Sequence, residues 1–138
     1  MLLYEVPDII KIFYEKENDL LVHEWLEYNP EDQDNTILVI LQKIYDFFLA
    51  YPVEKIIVKA DMTKGAFSPN IQKYIKNVQL PRLVSDTKLR YVATVKSEEE
   101  MKDIGVKLWQ LQLNKDADVI LHNTGSEEEA RDWLRNIA

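Results

Sequence analysis

The chain has 138 residues, 46% hydrophobic and 30% charged, a composition that builds one globular domain able to fold without disulfides or a structural metal. It has no cysteine, which excludes thiol catalysis, disulfide frameworks and every cysteine-ligated zinc or iron–sulfur site. Its 17 basic against 24 acidic residues leave a net charge of −7, so a nucleic-acid partner held by net attraction is not expected.

Residues 1–8 have no basic region and too short an apolar run for a signal peptide. No window reaches the roughly 20 apolar residues of a spanning helix, so the expectation is a cytoplasmic protein without membrane insertion. Residues 9–14 and 20–26 are β-branched and aromatic runs with polar residues interleaved, joined by Glu-Lys-Glu-Asn-Asp. They read as a hairpin with one buried face, and Asn18 and Asp19 supply its turn chemistry. The period then lengthens. Asn29-Pro30-Glu31-Asp32 carries a cap, a proline for the first helical position and acids for the first turn. Ile37, Leu41, Ile44 and Phe48 give that helix its apolar face, widened by Ile40 and Phe47, and Tyr51-Pro52 closes it.

Residues 55–60 are a nearly continuous apolar run suited to a central strand covered on both faces. A loop over 61–67 leads to Ser68-Pro69, a second cap-and-proline start. Ile71, Tyr74, Ile75 and Val78 mark the helix that follows, which Pro81 must kink or end. Residues 89–95 read as the next buried strand. Ser97 with Glu100 forms a capping box for a helix bearing Met101, Ile104, Leu108 and Leu111. A short strand over 119–122 precedes a second capping box, Ser126 with Glu129, and a helix with Ala130, Trp133, Leu134 and Ile137 on one face. The order β-β-α-β-α-β-α-β-α predicts an α/β fold: a mixed, mostly parallel five-stranded sheet with four helices in one domain over 1–138.

The hairpin with Trp25 late in its second strand, Ser68-Pro69-Asn70-Ile71-Gln72 after the third strand, and Ser126-Glu127-Glu128-Glu129-Ala130 leading to Trp133-Leu134 carry a likeness across nearly the whole chain. In these segments the chain resembles the small stand-alone bacterial STAS/SEC14-like (SpoIIAA-like) domains. The resemblance implies a right-handed β-α superhelix with helices crossing one face of the sheet. It also implies two functional precedents. In one, the domain binds a protein partner and is phosphorylated on a serine at the start of the helix after the third strand, which makes Ser68 the candidate phosphoacceptor. In the other, a relative holds a small apolar ligand or lipid.

Read from the residues alone, Ser68 is an N-cap. The 61–67 loop leaves the carboxyl end of a central strand and enters a helix, the place where open α/β sheets bind ligands. Asp61, Thr63, Lys64, Gly65 and Ser68 are therefore the candidate partner or ligand loop. A single glycine there matches neither a dinucleotide-binding fingerprint nor a P-loop. His23 and His122 read as strand-end or partly exposed histidines, and the remote enzymatic option would need Asp61, His122 and Arg90 to converge. Glu98–Glu100 and Glu127–Glu129 read as helix starters, since consecutive helical positions fan around the axis and do not meet on one ion. No catalytic motif, metal or cofactor is expected. The chain reads as a non-enzymatic STAS-like interaction module with a protein partner, with a binder of a small apolar ligand as the alternative, and it leaves open a homodimer through an exposed strand or helix face.

Overall fold

A computed structural model describes residues 1–26, 34–60, 68–96 and 119–137. It shows an α/β domain on a mixed sheet of six strands: β1 (Leu2–Val6), β2 (Ile10–Glu15), β3 (Leu20–Trp25), β4 (Lys55–Lys59), β5 (Tyr91–Val95) and β6 (Ile120–Thr124). They lie side by side in chain order. β1, β2 and β3 form an antiparallel meander, and β3 through β6 run parallel.

The sheet has one strand more than the five expected. Tyr4 and Val6 pair with Ile12 and Ile10 on the face that packs inward. Ile9 donates to the Val6 carbonyl across a tight turn, in which Asp8 takes a left-handed conformation (φ 66°). Aspartate tolerates that region better than most residues, because its short side chain bonds local backbone. The second connection is a single 3-10 turn over Lys16–Asn18 ended by Asp19 at φ 50°. The expected hairpin is thus present, with a third strand laid against its outer edge.

Helix α1 (Asp34–Ala50) buries Ile37, Ile40, Leu41, Ile44 and Phe48, the predicted stripe. Tyr51 closes it by donating back to the Phe47 carbonyl, immediately before Pro52. After Ser68 the chain runs through α2 (Pro69–Tyr74), a π turn over Ile75–Gln79 and α3 (Leu80–Asp86). Pro81 therefore does not end the helix. The widened turn, in which Leu80 donates to the carbonyl of Ile75, passes the rod over the missing N–H and the bulky ring. Gln79 fills the turn and is buried. It donates through Nε2 to the Leu41 carbonyl of α1 at 2.9 Å, and its Oε1 accepts from Nε and Nη2 of Arg82.

Helix α4 (Glu127–Asn136) starts at the predicted capping box: the Ser126 hydroxyl accepts from the Glu129 N–H, and the Glu129 carboxylate reaches back to the Gly125 N–H. Among the described residues there are thus three helical bodies. The expected helix behind Ser97 and the Asn29-Pro30 start of the first helix lie outside the described residues. β5 begins at Tyr91, with Leu89 already buried ahead of it, and β6 runs on to Thr124.

Strand alternation divides the interior in two. Leu21 and Trp25 of β3 join Ile56, Val92 and the inner stripe of α1 in the larger core, which α2 and α3 also cover. Leu20, Val22, Ile57, Ala93 and Val95 point the other way, against Ala130 and Leu134 of α4. Helices crossing a single face, which the resemblance implied, are therefore not what is found, because α4 folds back over the opposite side of β4–β6. Its inward face buries Ala130 and Leu134, the leucine contributing about 1.5–3 kcal/mol, with Trp133 and Ile137 packed at its margin. No helix among the described residues is long and apolar enough to cross a membrane.

Candidate functional site at the carboxyl edge of the parallel strands

β3, β4 and β5 all deliver the chain to the same edge of the sheet, as parallel strands must. Asp61, Thr63, Lys64 and Gly65 belong to the segment leaving β4 and lie outside the described residues. Ser68, the last candidate of that group, is described and half-buried. Its Oγ accepts from the Ile71 N–H at 3.2 Å, which is the predicted cap. The same hydroxyl donates to both carboxylate oxygens of Asp34, at 2.8 and 2.9 Å. Ser68 thus starts one helix and ties it to the first turn of another. Its proton and a lone pair are both engaged. Asp34 was legible in sequence only as one more acid in a helix start.

The other side of this edge is charged. Lys59, the last residue of β4, stands 3.7 Å from the Glu24 carboxylate and 3.2 Å from Glu127 in the first turn of α4. The second oxygen of Glu127 accepts from Nε of Arg131, one helical turn on. Arg131 leads away from this edge, presenting both terminal nitrogens at 2.9 and 2.6 Å to the carboxylate of Glu15, which pairs with Leu20 at the amino end of β3. This two-pronged geometry is the strong form of an ion pair. The hydrogen bond from Arg131 holds the Glu15 carboxyl below its usual range, against the opposing effect of burial. For Glu127 burial is the largest influence and pushes upward, but hydrogen bonds from Lys59 and Arg131 outweigh it and the net shift is down. The Arg131 guanidinium is in turn held in its charged form, chiefly by Glu15. Glu127 is therefore more than a helix starter.

His23 differs from its expected strand-end exposure. It lies in the middle of the parallel register, between Ile12 and Val58, only 2% exposed and edge-on to the Phe48 ring. Burial depresses its imidazole to about 4, so it is neutral at ordinary pH. Its Nε2 has no hydrogen-bond partner among the described residues. His122 is exposed, as expected, and stacks on the Trp133 ring at 4.7 Å with the planes 22° apart. Arg90 precedes β5, at the end of the strand opposite the edge where β4 hands on to residue 61, and donates to the Leu89 carbonyl. Arg90 is thus separated from that edge by the length of a strand, and Asp61 lies outside the described residues. Glu98–Glu100 also lie outside them. Tyr45 is committed to the α1–α3 seam, donating to Asp86 at 2.5 Å beneath the guanidinium of Arg82.

What this edge offers chemically is a hydroxyl held by a carboxylate at a helix start on the α1 face, and the Glu24–Lys59–Glu127 charges on the α4 face. No protein-family model, curated protein or solved structure matches the chain.

Proposed function

We propose that the chain is a STAS-like, non-enzymatic interaction module that receives a protein partner at the carboxyl edge of its parallel strands, through residues 61–68 and the helix that Ser68 starts. The observation that carries this reading is the double engagement of Ser68 at that edge, where it caps α2 and ties that helix to Asp34 of α1. A partner docking there meets two helix starts held in a fixed relation, which keeps the conformational cost of association low.

Ser68 is also the proposed phosphoacceptor. A phosphoryl group carries close to two negative charges at neutral pH. Placed on Oγ, it would replace the proton that Asp34 accepts and set a dianion against that carboxylate. The tie between α1 and α2 would break, so a partner that recognises the unmodified edge would be released.

The test is affinity capture from the native cell with the wild-type chain and with a variant carrying Asn70→Arg and Lys73→Glu, both exposed on α2. The module reading expects a partner that the wild type retains and the variant loses. Equal recovery by both would contradict it. Under the small apolar ligand reading, native extraction of the purified chain would instead return a stoichiometric apolar molecule.

A further inference from the structure

His23 is the one buried side chain among the described residues whose polar atom is left without a partner, at the centre of the larger of the two cores. A neutral imidazole there already costs the fold an unmade hydrogen bond, and a charged one would cost far more, with no acceptor for Nε2 among the described residues. We propose that His23 makes the α1 side of the sheet an acid-sensitive half of the molecule: mild acid lifts α1 from the sheet while α4 stays seated on the opposite face. This is independent of the partner-binding reading.

Among the described residues, the surroundings of His23 offer an imidazolium nothing. The titratable groups of those residues on its side of the sheet are Tyr4 from β1, Tyr14 from β2 with Tyr51 packed against it, Asp34, Lys43, Tyr45 and Asp46 from α1, Lys73 and Tyr74 from α2, Lys76 from the π turn, and Arg82 and Asp86 from α3; β4 and β5 contribute none. The carboxylates among them are already engaged, Asp34 by Ser68, Asp46 by Gln42 and Asp86 by Tyr45, and Arg82 is held by Gln79 and Gln42. Glu24, next to His23 in sequence, points to the other face and pairs with Lys59.

Burial lowers His23 from its ordinary 6.5 to about 4. Above pH 6.5 closed and opened forms are both neutral and the closed state loses nothing. As pH falls toward 4 the opened form takes a proton that the closed form refuses, so acid favours opening. The α4 side responds in a different window. Glu15 and Glu127 are held below 4.5, so their contribution persists until pH falls below that value. Between pH 7 and 5 His23 loads the α1 side, while Glu15 and Glu127 keep their contribution to the α4 side.

Native-state hydrogen exchange at pH 7 and pH 5, corrected for intrinsic rates, tests this on the wild type and on His23→Leu and His23→Gln. The opening equilibrium of the α1 amides from Ile40 to Phe48 should rise about twentyfold from pH 7 to pH 5, with the α4 amides of Ala130 and Leu134 changing little. Both variants should lose that pH dependence; the glutamine keeps a polar side chain without a proton to take up. An α1 opening equal at the two pH values, an equal loosening of α4, or a pH response retained in both variants would each overturn the proposal.

Discussion

The hydroxyl of Ser68 lies 2.8 and 2.9 Å from the two carboxylate oxygens of Asp34, thirty-four residues earlier in the chain, while it accepts from the backbone of Ile71. One oxygen atom therefore fixes where α2 begins and how that helix meets α1.

Ser68→Ala removes both functions. It should destabilise the domain by about 2 kcal/mol, the cap supplying about 1 of that and the carboxylate bond the rest. Urea denaturation measures it. Asp34→Ala in the Ser68→Ala background should cost about 0.5–1 kcal/mol less than in the wild type, because the partner is already gone. Additive effects would mean that the tie contributes nothing.

The fork between Arg131 and Glu15 joins α4 to the antiparallel meander, with both side chains about a quarter exposed. Arg131→Met should cost about 1–2 kcal/mol, more than an exposed ion pair, because Glu15 loses its charged partner and Glu127 keeps only Lys59. The pH dependence gives a second readout. Glu15 has its folded carboxyl held below 4.5, so its stabilisation is present above pH 4.5 and fades as pH falls through the lower folded value. Arg131→Met should flatten the stability profile below pH 4.5 and leave its slope near pH 7 unchanged. A profile parallel to the wild type below pH 4.5 would contradict this account of Glu15.

Gln79 holds the π turn against α1. Gln79→Ala should cost about 1–3 kcal/mol, since Arg82 loses two of its acceptor contacts and a buried gap opens beside the Leu41 carbonyl. Thermal unfolding followed by circular dichroism reads the loss. A change under 0.5 kcal/mol would mean that the helical rod is positioned by its apolar contacts alone.

The features that local chemistry decides are the ones the sequence made legible. The caps at Ser68 and Ser126 and the α1 stripe are where the periodicity and capping residues put them, because each depends on neighbours within one or two helical turns. β1 escaped notice because Leu2–Val6 alternates poorly and acquires its inward face only by pairing with β2. Pro81 alone implies a kink or an end; that the helix continues through a π turn, held by Gln79 on the distant Leu41 carbonyl, depends on contacts outside its local sequence. The Glu15–Arg131 fork spans 116 positions, and nothing in the sequence brings those two together. The same holds for Asp34 at Ser68, and for His23, whose burial follows from lying in the third of six strands rather than at an edge.

The central claim is that a protein partner sits on the carboxyl edge of the parallel strands. A photo-crosslinking residue placed at Asn70, exposed on α2 beside Ser68, and separately at Lys88, exposed beyond the opposite end of the strands, measures this in the native cell. The account predicts one discrete crosslinked species from position 70, absent from position 88 and lost when Ser68 is phosphorylated. Crosslinking to the same species from both positions, or from position 88 alone, would contradict it.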